Sequence, residues 1–268
     1  MEAAQAEPTP NMLTPGPWVG HYTTAALAFE KIIPTGELRM SPYRRMRDPF
    51  ENKLIVPGGG YAGKPSPNPE ADWLAAVQLV SETRERVRLL SFTQDVLDYE
   101  GQALKFGCCW ARARTWEQYA DAHRGVCLVF ERAALRSALS ADFGDRVAFG
   151  PVGYTPERIE VAPLMDPRIF DGETREAAVL DYIKQNRETL FFLKTDDWRS
   201  EHEFRAVLFE VADEFAVAKY GDALRAVVIG EKFPGWQVTG AETLAAEHGL
   251  ELKQAHWAQG LPWLTSAT

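Results

Sequence analysis

The stretch Lys194-Thr-Asp-Asp-Trp198-Arg-Ser-Glu201-His-Glu203-Phe-Arg205, which runs directly into Ala206-Val-Leu-Phe209, decides how this chain is read. Its apolar end has strand character. The two glutamates at i and i+2 are expected to open that strand with both side chains on one face of a sheet. Arg205 continues that face, while Phe204, Ala206 and Leu208 take the other. A strand face carrying three charges is either solvated, as at a sheet edge, or lines a pocket.

Outward from this segment the chain alternates short strands and helices. Before it, Val19–Thr23 reads as a strand, and Thr24 opens a helix that stops at Pro34 with Gly36 beyond. A second strand is expected at Leu38–Ser41 and a Gly/Pro-rich loop from Gly58 to Pro69. From Asp72 to Arg86 the periodicity is helical, with Trp73, Ala76, Val77 and Val80 on one face. Val87–Thr93 reads as a buried strand, and Thr115–His123 as a helix capped by Thr115. Gly125–Phe130 is a strong strand, followed by a helix over 132–139, a strand over 146–154 and one long helix from Thr174 to Phe192. After the glutamate segment come a strand at Ala223–Ile229, a helix at Thr239–His248 and a last strand at Glu251–Ala255. The expected class is α+β: a single domain over 18–268 with a mixed, mostly antiparallel, split β-sheet core and flanking helices. Residues 1–17, acidic and Pro-rich, are expected to be a disordered lead-in.

Composition narrows the function classes. The chain has 268 residues and a net charge of −9, which argues against broad binding to nucleic acid or anionic membrane while leaving room for a local basic cleft. Apolar runs stop well short of the ~20 residues a membrane span needs, and the N-terminus lacks a basic-then-apolar leader. Three cysteines, two of them adjacent at 108 and 109, show no metal-ligand spacing, so a reduced, cytoplasmic protein is expected. Nucleophile-elbow, zincin and zinc-cluster patterns are absent. Gly58-Gly59-Gly60 lacks the spacing of a phosphate cradle. A metal-dependent nuclease built on Asp48, Glu51, Glu201 and Glu203 is a minor reading, since no lysine stands between the late glutamates.

Several residues carry both a chemical and a structural reading. His21 is either a site residue or a hydrogen-bonded strand histidine. His123, after a helix and before Gly125, is read as a partner of the helix carboxyl end. Trp116 and Tyr119 share a helical face and lean towards core over cofactor wall. Asp48 leans structural and Glu51 stays open. The arginines at 39, 44, 45 and 47 form a basic patch that meets phosphates or is simply solvated.

Six spaced blocks together resemble the bacterial DUF2971 family. They are His21-Tyr22-Thr23, Gly36-Glu-Leu-Arg-Met-Ser41, Arg47-Asp48-Pro49-Phe50-Glu51, Leu90-Ser91-Phe92, Trp116-Glu-Gln-Tyr119-Ala120-Asp-Ala-His123-Arg-Gly125, and Lys194 through Arg205. The chain departs from the family pattern at Arg47, where Asn is frequent, and at Thr115-Trp116, where a Met-Trp pair is frequent.

The order of these blocks looks like the ADP-ribosyltransferase architecture, and that resemblance implies a role for each site residue. His21, with Tyr22 and Thr23 beside it, would hold the NAD ribose. Ser91 and Phe92 would shape the nicotinamide pocket, with Tyr22 or Tyr119 as an aromatic wall, and Arg205 or Lys194 would contact the pyrophosphate. Glu203 would carry the chemistry and Glu201 would steer the acceptor. Breaking the nicotinamide–ribose bond builds positive charge on the ribose, which a placed, poorly hydrated carboxylate stabilises. Two carboxylates this close would also repel, raising one pKa towards that of a general base. The implied activity is NAD-dependent transfer of ADP-ribose to a macromolecular acceptor, protein or nucleic acid, in the setting of a bacterial toxin or phage-defence effector, with no metal. The alternative is a non-catalytic nucleotide- or protein-binding module on the same fold.

Overall fold

The computed structural model of the chain describes residues 16–46, 51, 56–96, 107–212 and 214–267. Most of the lead-in expected over 1–17 lies outside these residues, as do Arg47 and Asp48. The strands, in chain order, are β1 (Trp18–Thr23), β2 (Glu37–Pro42), β3 (Arg88–Gln94), β4 (Val126–Glu131), β5 (Val147–Pro151) and β6 (Gly153–Thr155). They continue with β7 (Leu193–Thr195), β8 (Glu203–Leu208), β9 (Ala216–Lys219), β10 (Leu224–Ile229), β11 (Glu251–Ala258) and β12 (Leu261–Ser266). The class is α+β, and pairing is mostly antiparallel, with β10–β11 and β6–β7 parallel.

The residues fall into two compact units. One is built from Met1–Gly36, Phe92–Leu135 and Tyr220–Thr268, the other from Glu37–Ser91 and Arg136–Lys219. One boundary falls inside β3.

In the first unit the strands run β12-β11-β10-β4-β1, with the second half of β3 pairing β1 through Val19↔Gln94 and Gly20↔Thr93. β4 is central, and its run Val126-Cys-Leu-Val-Phe130 is buried on both faces, as an unbroken apolar segment must be. The entry helix is three short pieces, Ala25–Leu27, Ala28–Ile32 and Ile33–Thr35, the middle one π-type. Thr24 caps it by accepting from the Leu27 amide, and it ends at left-handed Gly36, so it runs one residue past the expected stop at Pro34. Trp18, Trp110, Trp116, Cys109 and Cys127 fill the core. The Trp-rich carboxyl end folds back as the β11–β12 hairpin, a strand more than expected.

In the second unit β2 pairs the first half of β3 and also β9, while β8 lies between β3 and β5. The helix Pro69–Arg86 starts three residues earlier than its apolar periodicity suggested. Asn68 accepts from the Ala71 amide, and Pro69 sits where no amide donor is needed. The long helix expected from Thr174 to Phe192 is two, Arg175–Gln185 and Arg187–Phe191. It breaks at Asn186, which leaves helical dihedrals (φ −98°, ψ 18°) and whose side-chain amide donates to the Tyr182 carbonyl beside its own backbone amide. Val77, Val80, Leu89, Val179, Phe191 and Val207 form the core here.

Candidate functional site

The glutamate segment folds differently from its expected alternation. β8 begins at Glu203; Glu201 closes the 3-10 turn Asp196–Glu201, and His202 between them is left-handed, with φ of 44°. The turn is supported by the Arg199–Asp196 pair at i,i+3. Both faces of β8 are buried, so its charged side is neither wet nor open. Charge can be buried there because partners are brought in from other places in the second unit.

Arg205 anchors the cluster with no solvent exposure at all. Two residues on from Glu203, it shares its face of the strand and grips it with a bidentate fork, Nε to Oε1 at 2.7 Å and Nη2 to Oε2 at 3.0 Å. Nη2 also meets Glu51 Oε1 at 2.5 Å, and Nη1 donates to the Phe191 carbonyl at 2.6 Å. Lys194, on β7, brings its ammonium 2.9 Å from Glu203, 3.1 Å from Glu201 and 3.7 Å from Glu51, with the Trp198 ring centroid 5.0 Å away. Tyr43 donates its hydroxyl proton to Glu51 at 3.0 Å and accepts from Arg84 Nη2 at 2.9 Å. Arg84 Nη1 donates to the Glu51 backbone carbonyl at 2.8 Å. Three carboxylates thus meet two cations, with Arg84 joined to them through Tyr43 and the Glu51 backbone, and all six side chains are buried.

The electrostatics follow from this wiring. Burial raises the Glu203 pKa, but Arg205 and Lys194 outweigh it and hold the carboxyl near 2, with further help from the Ser91 hydroxyl. Burial works against the charge of Lys194 as well, yet Glu203 and Glu51 keep its pKa above the ordinary lysine value. At Glu203 the repulsion expected to raise a glutamate into the general-base range is therefore overridden. Tyr154 accepts from the Glu203 backbone amide at 2.9 Å, and burial pushes its hydroxyl up to about 12. Among the described residues no group of three or more His, Cys, Asp or Glu is placed to hold a metal ion.

The expected site residues divide between the units. Ser91, Glu201, Glu203 and Arg205 come together in the second, around Lys194. His21, Tyr22, Thr23, Phe92 and Tyr119 lie in the first. There His21, half-buried, has its ring 5.6 Å from Phe92. Tyr22 is buried, donates to the Cys109 carbonyl at 2.6 Å and packs edge-on against Trp116, while Tyr119 packs against the same core. Thr115 does not cap a helix, because that helix starts at Ala113 and buries Thr115 within it. His123 follows the helix end, its backbone amide donating to the Trp116 carbonyl at 3.4 Å. It ends a left-handed run, Asp121, Ala122 and His123, with its ring against Trp116 and Trp257, and desolvation lowers its pKa. Tyr43 and Arg84 were missed. Arg84 had a readable signal, since it falls on the stripe of Val77 and Val80, where an arginine must find buried partners.

The first unit also carries a groove of about 640 Å³, lined among others by Thr35, Tyr220, Asp222, Arg225 and His248. None of the expected site residues lines it. No helix among the described residues is long and apolar enough to cross a membrane.

Residues 115–206 match a family described as a protein of unknown function, DUF2971. The matched span holds the Trp116–Gly125 and Lys194–Arg205 blocks and supports the family resemblance. Neither the curated proteins nor the solved structures contain a match.

Proposed function

We propose that this chain is a non-catalytic binding module and that the Glu203 cluster is its architectural centre. One observation carries the reading: both oxygens of Glu203 are engaged, Oε1 by Arg205 and Oε2 by Arg205 and Lys194. A carboxylate so occupied has little left to offer a ribose hydroxyl, and one held near pKa 2 is no base at neutral pH. On this reading Arg205 would have to turn away before Glu203 could meet a ribose hydroxyl of NAD.

The groove of the first unit has the volume of a small-molecule site, which suits a nucleotide better than a protein loop. Arg225, which lies 3.8 Å from Glu131, supplies a cation for phosphate. A second reading, NAD-dependent ADP-ribosyl transfer, draws support from Glu203 being ionised and desolvated beside Ser91.

One experiment separates them. The purified chain is incubated with NAD, with and without cell lysate as a source of acceptors, and nicotinamide is followed by chromatography; thermal shift with ADP, ATP and NAD is measured in parallel. The module reading expects no nicotinamide above buffer, and a nucleotide-dependent shift that Asp222→Ala/Arg225→Ala removes. Release by wild type that disappears in a folded Glu203→Gln variant overturns it in favour of the transferase.

A further inference from the structure

A different surface of the second unit carries an inference that does not rest on the nucleotide reading. Arg39 on β2 and Arg45 in the 3-10 turn Tyr43–Arg45 converge on Phe215, the residue before β9. Their guanidinium carbons lie 3.9 Å and 4.4 Å from the centroid of that ring. Two like charges are thereby held within about 8 Å of each other. Both side chains are exposed, as is Arg44 between them in the turn, and Lys219 follows on β9.

The contrast with other exposed arginines is informative. Arg146, Arg168, Arg187 and Arg199 each lie against a carboxylate. Among the described residues Arg39 and Arg45 have the phenyl ring instead. In a chain of net charge −9, two arginines meeting on one ring, with no acidic partner among the described residues, make a local basic patch. Contact with the ring restricts the long side chains in advance, lowering the entropy lost when they bind. Each guanidinium still offers N–H groups, which suit a phosphate, and a planar face, which suits a base. A single strand of nucleic acid offers both groups in alternation. A lipid surface offers only headgroups, and is usually met by clusters of four to eight basic residues.

We propose that Arg39, Phe215 and Arg45 form a docking site for single-stranded nucleic acid, with guanidinium edges on backbone phosphates and guanidinium planes against bases. The test is fluorescence anisotropy of the full chain with short labelled oligo-U and oligo-dT at low salt, beside co-sedimentation with phosphatidylserine-containing vesicles. Wild type is expected to bind at least one oligonucleotide, and the two oligonucleotides separate RNA from DNA as the source of the strand. Arg39→Ala/Arg45→Ala is expected to weaken binding about tenfold or more and to flatten the log–log salt slope by about 1.4, the value for two single-strand phosphate contacts. Arg39→Lys/Arg45→Lys keeps the charge but loses the planar guanidinium, so it is expected to bind more weakly than wild type with a nearly unchanged slope. Circular dichroism confirms that both variants fold. Absence of binding to either oligonucleotide, equal affinity in the alanine variant, or binding to vesicles alone would overturn the proposal.

Discussion

Replacing Arg205 with methionine tests the cluster at its most buried point. The substitution keeps an unbranched, volume-filling side chain but removes the fork on Glu203, the contact with Glu51 and the donor to the Phe191 carbonyl. Breaking a buried ion pair from one side costs about 3–5 kcal/mol, because the remaining charge stays desolvated. The orphaned Phe191 carbonyl adds about 1 kcal/mol. Lys194 remains 2.9 Å from Glu203 and takes up part of the loss, so the expected net cost is about 3–4 kcal/mol. At this chain length that corresponds to a melting temperature lower by roughly 10 °C. The assay is urea unfolding followed by tryptophan fluorescence on wild type, Arg205→Met, Glu203→Leu and the double variant. The double variant is expected to lose less than the two singles together, by about 2 kcal/mol, since neither charge is then left alone. A cost below about 1 kcal/mol for Arg205→Met, or strict additivity, would refute the view that these charges hold one another in place.

The same wiring predicts acid sensitivity. Burial raises the Glu203 pKa, and Arg205 with Lys194 lowers it by more, to about 2 from an ordinary 4.5. A depressed folded pKa means that the stabilisation is complete above pH 4.5 and is lost as pH falls towards 2, at most about 3 kcal/mol in all. Urea midpoints measured from pH 7 to pH 3 should fall through that window, and less steeply in Glu203→Gln. Glycines give a contrasting pair. A Cβ on Gly230 would stand 2.1 Å from the His123 carbonyl oxygen, so Gly230→Ala should destabilise by about 3 kcal/mol or prevent folding. Gly240, inside the helix Gly235–Glu247, has open space around it, and Gly240→Ala should raise the urea midpoint by the equivalent of about 0.5–1 kcal/mol.

The α+β class and most element positions were legible because they rest on local periodicity: Val126–Phe130 and the apolar face of Pro69–Arg86 need no partner to be read. What escaped depended on distant or subtle competition. The helix breaks at Asn186, a single residue out of helical dihedrals that helical periodicity does not register. β9 and β12 carry mixed, half-exposed patterns and are strands only because β2 and β11 stand ready to pair with them. The late glutamates stood out in the sequence as a charged cluster, but their register was not legible, because His202 takes a left-handed conformation that a non-glycine residue seldom adopts. Nor could Tyr43 and Arg84 be assigned to them from spacing alone, since both stand more than a hundred positions upstream in the chain.

The way the chain is shared between the units bears on how the protein can be made and cut. The first unit is assembled from three separate stretches and the second from two, so neither is one continuous segment of the chain. β1 must wait for β4, over a hundred residues later, and β4 for β10, almost another hundred on. Pairings of that separation slow folding, and during synthesis β1 and β4 emerge long before the strand that completes their sheet. A truncation at any internal loop would strip strands from the first unit, whereas a circular permutation preserves every segment.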